Sequence, residues 1–220
     1  MHSSTKKSIN ARDRRSSCGD TSDPQAWPLI QLQDVRQFLY CLDKETVDLL
    51  ITAPPCRTEV DDIDMFARSW APPAFSRVKP TGRAFIFTST APSELRAYLG
   101  VLSGQSGFVL AQVLTWSHKR VARPEPSLDF ESRWQAVFCL RGQKAPPLHP
   151  PTMTERLSAY QTVEDLIHRS TNEGDIVIDP FAGVGDFLIV AARLGRRAMG
   201  CEIDPEIFAV ALESGCAHAC

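Results

Sequence analysis

The sequence predicts an α/β fold in which a mostly parallel β-sheet is covered by helices on both faces. Short apolar stretches typical of buried strands alternate along the chain with segments that carry apolar residues at helical spacing. Several of these strands run directly into proline or glycine, which end a strand at the edge of a sheet. Such alternation indicates parallel strands joined by crossover helices. The 220 residues suit one domain of this kind with a short tail.

In the first half of the chain, each predicted strand is followed by a helical pattern. These pairs are strand 28–32 with helix 35–42, strand 47–52 with helix 63–70, and strand 83–88 with helix 93–99. The second strand must end before Pro54, because proline cannot continue a ladder of hydrogen bonds. Val78–Gly82 is expected to be a turn, and Ser93 is expected to cap the third helix.

In the second half, two strands follow each other and the alternation with helices then resumes. A polar stretch, Ser117–Asp129, separates the two strands, and a proline-rich loop over residues 143–153 follows them. The predicted strands are 109–116, 134–140, 175–179 and 198–202, and the predicted helices are 164–170, 187–194 and 205–214. Cys216–Cys220 is expected to be a frayed terminus rather than a zinc site, so no metal is expected.

The composition is that of a globular chain, with 43% hydrophobic and 23% charged residues. We expect residues 1–26 to form a flexible tail and residues 27–220 to form the folded domain, because apolar periodicity begins at Trp27. No apolar run approaches the roughly 18 residues of a membrane-spanning helix. Seven cysteines without a CxxC pair favour reduced thiols in a cytoplasmic protein. The net charge of −2 excludes a broadly basic coat for nucleic acid, but leaves room for a local basic groove.

A glycine loop follows the strand that ends at Asp179. Gly183 and Gly185 would let a ligand approach the backbone closely before the next helix begins. Glu202 ends the following strand, where a carboxylate can accept hydrogen bonds from the ribose hydroxyls of an adenosine ligand. A tight turn without any ligand is the alternative interpretation of two glycines alone, and Glu202 favours the ligand.

A dinucleotide site is the main competing interpretation of this loop. It would need a third glycine where Leu188 stands, and the negative charge of Asp186 at the start of the helix would repel a pyrophosphate. Asp179 suits a ligand with a cationic amine instead. S-adenosylmethionine, which combines such an amine with adenosine, fits both carboxylates.

The segments Asp179–Gly185, Ala191–Ala198 and Gly200–Asp204 closely resemble the cofactor motif of DNA amino-methyltransferases, which methylate adenine N6 or cytosine N4. The resemblance implies a Rossmann-like, S-adenosylmethionine-dependent methyltransferase fold. It also implies roles for individual residues: Asp179 faces the methionine amine, Phe181, Gly183 and Gly185 line the pocket, Glu202 holds the ribose, and Asp34 joins the cofactor-binding residues. Asp186 and Phe187 depart from the small hydroxyl residues that usually follow the second glycine in this family.

The segment Val47–Cys56 resembles the catalytic motif of the same family, Asp/Asn/Ser-Pro-Pro-aromatic. It precedes the cofactor motif, as in the permuted β-class of the family, and ordered matches extend from residue 29 to the end of the chain. The catalytic candidates are therefore Ala53, Pro54, Pro55 and Cys56. Ala53 lacks the side-chain acceptor that aligns the target amine, and Cys56 cannot stack on a flipped base as an aromatic ring does.

Two functions are compatible with this motif. The first is an S-adenosylmethionine-dependent DNA methyltransferase that acts on adenine N6 or cytosine N4. The alternative is a degenerate relative that binds cofactor or nucleic acid as a regulatory subunit, as Ala53 and Cys56 suggest. Attack of Cys56 on cytosine C5 is a third idea, but the acid that this chemistry needs is absent and the motif order is reversed.

The expected partner is nucleic acid, with DNA favoured by the family resemblance, and no membrane. Ser117–Asp129 is a short recognition segment, so either a partner subunit or a second copy of the chain supplies much of the target recognition, or the protein discriminates little between targets. Lys119, Arg120 and Arg123 lie in this segment, where they either contact phosphates at the opening of the site or belong to a solvated loop.

Overall fold

A computed structural model describes residues 27–56, 58–117, 134–146, 148 and 159–219 of the chain. The predicted tail, residues 1–26, and most of the predicted recognition segment lie outside these described residues. Among the described residues, no helix combines the length and the apolar character needed to cross a membrane.

The described strands form a single mixed sheet with the order β4-β5-β3-β2-β6-β7-β1-β8. Neighbouring strands are parallel except for β5, which runs antiparallel to both β3 and β4. The strands are β1 (Leu29–Leu32), β2 (Val47–Thr52), β3 (Val78–Ser89), β4 (Phe108–Ser117), β5 (Trp134–Gly142), β6 (Ile176–Asp179), β7 (Arg197–Glu202) and β8 (Ala217–His218). The predicted α/β fold with a mostly parallel sheet is therefore confirmed.

The described helices cover both faces of the sheet. They are α1 (Val35–Cys41), α2 (Ile63–Phe75), α3 (Pro92–Leu102), α4 (Ala159–Ser170), α5 (Asp186–Arg193) and α6 (Pro205–Glu213). One core cluster joins α1, α2 and α3 to the sheet, with Trp70 and Tyr98 fully buried in it. A second core cluster lies on the opposite face under α4, α5 and α6, where Ile167 and Leu188 are fully buried.

The strand order reverses direction between β2 and β6. From β2 the chain crosses through α2 to β3 on one side, and from β6 it crosses through α5 to β7 on the other side. The loops that leave β2 and β6 therefore diverge, and a crevice is expected between them at the carboxyl edge of the sheet. The residue pairs Leu49–Val177 and Leu50–Ile178 align these two strands so that Thr52 and Asp179 end them side by side.

Two elements extend further than the sequence indicated. Helix α2 continues to Phe75 through Pro72 and Pro73, beyond the predicted end at Trp70. The prolines stand in its last turn, and the burial of Ala71, Ala74 and Phe75 against the sheet holds that turn in place. The predicted turn Val78–Gly82 is instead the start of β3, where the register shifts between Val47 and Leu49 of β2. Pro80 and Gly82 therefore did indicate an irregularity of the backbone, but it is a bulge within a strand rather than a turn.

Two predictions were wrong, one about the start of a helix and one about the last residues of the sequence. Helix α3 begins at Pro92 with Ala91 at its N-cap position, so Ser93 lies inside the first turn and does not cap the helix. Proline at the first helical position favours the start of the helix instead of a side-chain cap, because its fixed φ angle is already helical. The end of the chain is not frayed over its described part: Cys216 is buried, and Ala217–His218 form β8, which pairs with β1.

Candidate functional site

The glycine loop between β6 and α5 has the backbone that the sequence led us to expect. Gly183 and Gly185 have φ angles of +54° and +84°, in the left-handed region where a side chain would be strained. At Gly185 there is also no room, because a Cβ atom would lie 2.5 Å from the Sγ atom of Cys216. At Gly183 a Cβ atom would have no neighbour within 4 Å, so the backbone borders open space. The loop can therefore be approached closely at Gly183 and is supported from behind at Gly185.

Asp179 lies at the end of β6 and is only 2% exposed. Its Oδ1 atom accepts hydrogen bonds from the hydroxyl of Thr52, at 2.6 Å, and from the backbone N–H of Phe181, at 3.1 Å. Among the described residues, its Oδ2 atom accepts no hydrogen bond. Burial, with a smaller contribution from the charge of Glu202, raises the pKa of Asp179 to about 7, although the two hydrogen bonds oppose the shift. A ligand with a positive charge would favour the ionised form of this carboxylate.

Glu202, at the end of β7, is joined to the glycine loop by its side chain. Its Oε2 atom accepts a hydrogen bond from the Gly183 N–H at 3.0 Å, and its Oε1 atom accepts from the N–H groups of Ile203 and Asp204 at 2.8 and 2.9 Å. A carboxylate offers about four acceptor positions. One position, on Oε2, therefore stays available for a ribose hydroxyl, and Glu202 also anchors the loop. No pattern in the sequence indicates this second role, because it depends on a hydrogen bond between residues 19 positions apart.

Phe181 lies between the glycine loop and α2. Its ring centroid is 5.1 Å from that of Trp70 in an edge-on contact and 5.6 Å from that of Phe66. Helix α2 is the helix that follows the predicted catalytic segment. The same aromatic cluster therefore stabilises both the glycine loop and the helix that follows Ala53–Cys56.

Asp34 is at the carboxyl edge, beside the end of β7, since the N–H of Gln33 donates to the backbone carbonyl of Glu202 at 3.0 Å. Its carboxylate caps α1 by accepting from the Arg36 N–H at 2.8 Å and also pairs with the Arg36 side chain. Hydrogen bonding to Arg36 holds the pKa of Asp34 below its usual range. The position fits a cofactor-binding residue, and the local contacts show that Asp34 also begins a helix.

The catalytic candidates Ala53–Cys56 follow directly after β2 at the same edge. Ala53 is exposed, Pro54 is buried, and Pro55 and Cys56 are half-buried. The segment turns back on itself: the Cys56 N–H donates to the Glu59 carboxylate at 2.9 Å, and the Glu59 N–H donates to the Cys56 carbonyl at the same distance. The Cys56 thiol lies 3.0 Å from the Thr58 hydroxyl. Among the described residues, no cationic side chain donates a hydrogen bond to this thiol.

The fold brings the two predicted motifs together on adjacent strands. Asp179 and the glycine loop leave β6, the Ala53–Cys56 segment leaves β2, and the Thr52–Asp179 hydrogen bond joins the two strand ends. A surface cavity of about 250 Å³ lies at the opposite edge, beside Phe75, Pro80 and Phe108, and contains none of these residues. Within the described part of the chain, no cluster of three metal-ligating side chains occurs.

Comparison with known sequences points to the part of the chain that contains the glycine loop. Residues 158–213 match the family described as DNA methylase, N6_N4_Mtase. The chain is 36% identical over 78 residues to the type II methyltransferase M2.DpnII of Streptococcus pneumoniae and 24% identical over 229 aligned positions to M.HpaI of Haemophilus parainfluenzae. A segment of 56 residues is 59% identical to the tRNA (guanine(10)-N2)-dimethyltransferase of Methanocaldococcus jannaschii. These matches cover 36%, 78% and 26% of this chain, and 27%, 69% and 15% of the respective relatives.

Comparison with solved structures extends the likeness to most of the domain. The complex of M1.HpyAVI with SAM superposes with a TM-score of 0.66 at 21% identity, covering 85% of this chain and 98% of that chain. The cytosine-N4-specific PvuII DNA methyltransferase also gives 0.66, at 20% identity, covering 83% of this chain and 84% of that chain. These structures have the same Rossmann-like methyltransferase fold. The domain therefore has the fold of these methyltransferases, and its glycine-loop segment is similar in sequence to the N6/N4 family of DNA methylases.

Proposed function

We propose that this protein binds S-adenosylmethionine and transfers its methyl group to an exocyclic amino group in DNA, adenine N6 or cytosine N4. The observation that carries the proposal is the meeting of the two motifs at one edge of the sheet. Asp179 and the Ala53–Cys56 segment leave adjacent strands and are joined through Thr52. M1.HpyAVI, a structure with this fold, is known in complex with SAM.

The residues at the edge fit the cofactor. The buried Asp179 carboxylate, whose Oδ2 atom accepts no bond from the described residues, suits a cationic amine. Glu202 has one acceptor position for a ribose hydroxyl, and Gly183 borders open space beside it. When bound, S-adenosylmethionine supplies an electrophilic methyl group on its sulfonium. These residues of the chain would bind and orient it.

The Ala53–Cys56 segment would position the target amine with its backbone. The buried Pro54 fixes the course of the chain, and the exposed Ala53 leaves its own carbonyl as an acceptor near the reacting nitrogen. Neither Ala53 nor Cys56 supplies the side chain that the family uses. We therefore expect slow transfer, because the positioning that lowers the barrier is reduced.

DNA as the substrate is supported by the relatives that match over most of the domain. M.HpaI is a type II methyltransferase, and PvuII is a DNA methyltransferase. The segment that is similar to the tRNA (guanine(10)-N2)-dimethyltransferase is shorter, at 56 residues. The full activity, the target base and any partner subunit belong to this proposal, because the chain covers only 27% of the first relative described above.

Two measurements test the proposal. Calorimetric titration with S-adenosylhomocysteine should give binding that Glu202→Ala weakens by roughly 1.5–3 kcal/mol, the range for hydrogen bonds to charged groups. Incorporation of labelled methyl groups should be higher into DNA than into RNA. Binding of cofactor without any incorporation would favour the regulatory subunit instead.

The catalytic segment has its own test. The double change Ala53→Asp with Cys56→Tyr restores the acceptor and the aromatic ring of the family and should increase methyl incorporation. Cys56→Ala is the matched control, since an amino-methyltransferase does not need the thiol. Loss of all incorporation in Cys56→Ala would instead indicate attack by the thiolate on a ring carbon.

A further inference from the structure

Thr52 is a polar residue at the end of an apolar strand. The preceding residues Leu49, Leu50 and Ile51 are fully buried, and Thr52 is buried just as completely. A buried hydroxyl lowers stability unless it finds a partner. Its partner is the Oδ1 atom of Asp179, 2.6 Å away and 127 positions later in the sequence. A valine would fit this strand as well by shape, so the hydroxyl is the feature to explain.

A second buried threonine shows that this bond is not a general result of burial. Thr88, near the end of the neighbouring strand β3, is 4% exposed, and its hydroxyl has no hydrogen-bond partner among the described residues. The two threonines therefore share their burial and their place at the carboxyl edge but differ in the partner. Thr88 is a matched control for Thr52.

The Thr52–Asp179 bond also lies beyond the last paired residues of its two strands. The ladder between β2 and β6 ends at Leu50 and Ile178. Past that point, the chain continues from Thr52 into Ala53 and from Asp179 into the glycine loop. This bond is thus a direct link between the loop for the target base and the loop for the cofactor.

We propose that Thr52 is a positioning residue, whose hydroxyl holds Oδ1 of Asp179 so that the charge and the Oδ2 atom serve the amine of the cofactor. The inference rests on the proposed cofactor, and it assigns a task to a residue that is neither a catalytic nor a cofactor-binding candidate of the sequence analysis. Thr52 does not touch the cofactor in this scheme. It acts through Asp179, and it ties the Ala53–Cys56 segment to a correctly oriented carboxylate.

The charge of Asp179 depends on several groups around it. Glu202 on β7 and burial both favour the protonated form, whereas the Thr52 hydroxyl and the Phe181 N–H favour the ionised form. The other titratable groups that act on this region are Cys201 on β7, Cys216 after α6, Asp186 on α5 and Asp34 before α1. Burial raises the pKa of both thiols, that of Cys216 to about 11, so they stay neutral near pH 7. From α2, the packed groups are the uncharged rings of Phe66 and Trp70.

The test compares Thr52→Val, Thr52→Ser and Thr88→Val with the wild-type protein. Calorimetry with S-adenosylhomocysteine is carried out between pH 5.5 and pH 8.5, and the ionisation of Asp179 is followed by carbon-13 NMR of labelled aspartate without ligand. Asp179→Asn assigns the NMR signal. We expect Thr52→Val to weaken binding at pH 7 on the order of tenfold and to shift the NMR titration of Asp179 to higher pH. Thr52→Ser and Thr88→Val should behave like the wild type.

The outcomes separate this inference from the proposed function. Equal binding and an equal Asp179 titration in Thr52→Val would overturn the role of Thr52, and so would a Thr52→Ser protein as weak as Thr52→Val. If the wild type binds no S-adenosylhomocysteine, the proposed cofactor is wrong. The NMR titration then still decides whether Thr52 controls the ionisation of Asp179. Thermal unfolding of each variant checks that the fold is retained.

Discussion

Asp179 reduces the stability of the folded protein above neutral pH, because its carboxylate is buried near Glu202. The folded pKa of about 7 exceeds the usual aspartate value near 3.9 in an unfolded chain. The folded state therefore retains a proton that the unfolded state releases. This contribution to stability is fully present below about pH 4 and is lost as the pH rises through 7.

Asp179→Asn should remove this pH dependence. Above pH 7 we expect the variant to exceed the wild type in its free energy of unfolding by about 4 kcal/mol, and we expect the difference to vanish near pH 4. Urea unfolding between pH 4 and pH 8.5 measures it, with the exposed Asp61→Asn as the control. If the free energies of unfolding of Asp179→Asn and the wild type changed with pH in parallel, the raised pKa of the buried Asp179 carboxyl would be contradicted.

Gly200 allows the close approach of β7 and β6 beside Asp179. A Cβ atom there would lie 2.3 Å from the backbone carbonyl oxygen of Asp179, and backbone cannot move aside cheaply. Gly200→Ala should lower the free energy of unfolding by about 2 kcal/mol or more. Gly100→Ala, inside α3 and with nothing within 4 Å of the new methyl group, should raise it by about 0.5–1 kcal/mol. Denaturant unfolding of both variants compares the two sites.

At the scale of elements, β8 holds the glycine loop from behind. Cys216 precedes β8 and is buried against Gly185, and Ala217 and His218 pair with β1. Cys216→Leu should push on the loop, lower the free energy of unfolding by about 1–3 kcal/mol and weaken cofactor binding. The same change at Cys41, which is exposed on α1, should have little effect. A Cys216→Leu protein that unfolds and binds as the wild type does would show that the loop tolerates movement.

The elements also show what the sequence could predict. Apolar periodicity located each main strand and helix, because burial on one or two faces leaves a direct mark on residue order. The errors came where packing overrode a local signal. Pro72 and Pro73 did not end α2, and Pro80 and Gly82 produced a bulge within β3 rather than a turn. The pairing of Ala217 with Leu29 joins opposite ends of the chain and leaves no local pattern.

The candidate site, too, could be predicted only in part from the sequence. Gly183, Gly185 and Glu202 could be found because glycine and acidic residues stood at fixed distances from predicted strand ends. The hydrogen bond from Thr52 to Asp179 could not be found, because a threonine at a strand end is ordinary in any sheet. The bond becomes visible only when the sheet order places β2 beside β6.

At the scale of the whole molecule, the carboxyl edge should carry the nucleic acid. Lys119, Arg120 and Arg123 lie outside the described residues and keep the predicted role of phosphate contacts. Neutralising the three should reduce the slope of log affinity against log salt for a DNA duplex. Lys44 and Lys144 are exposed at the opposite edge, so neutralising these two should leave the slope unchanged. An undiminished slope in the triple variant would remove the three residues from the interface.

The position of β1 between β7 and β8 has a consequence for how the protein folds during its synthesis on the ribosome. Strand β1 emerges first among the described strands, yet both of its neighbours belong to the last part of the chain. Strands β2 to β5 could associate as soon as they are made, while Leu29–Leu32 must wait for Arg197–Glu202. During that interval β1 exposes unpaired backbone groups, which attract other strands. The glycine loop, which leaves β6, is likewise made only after β2 to β5.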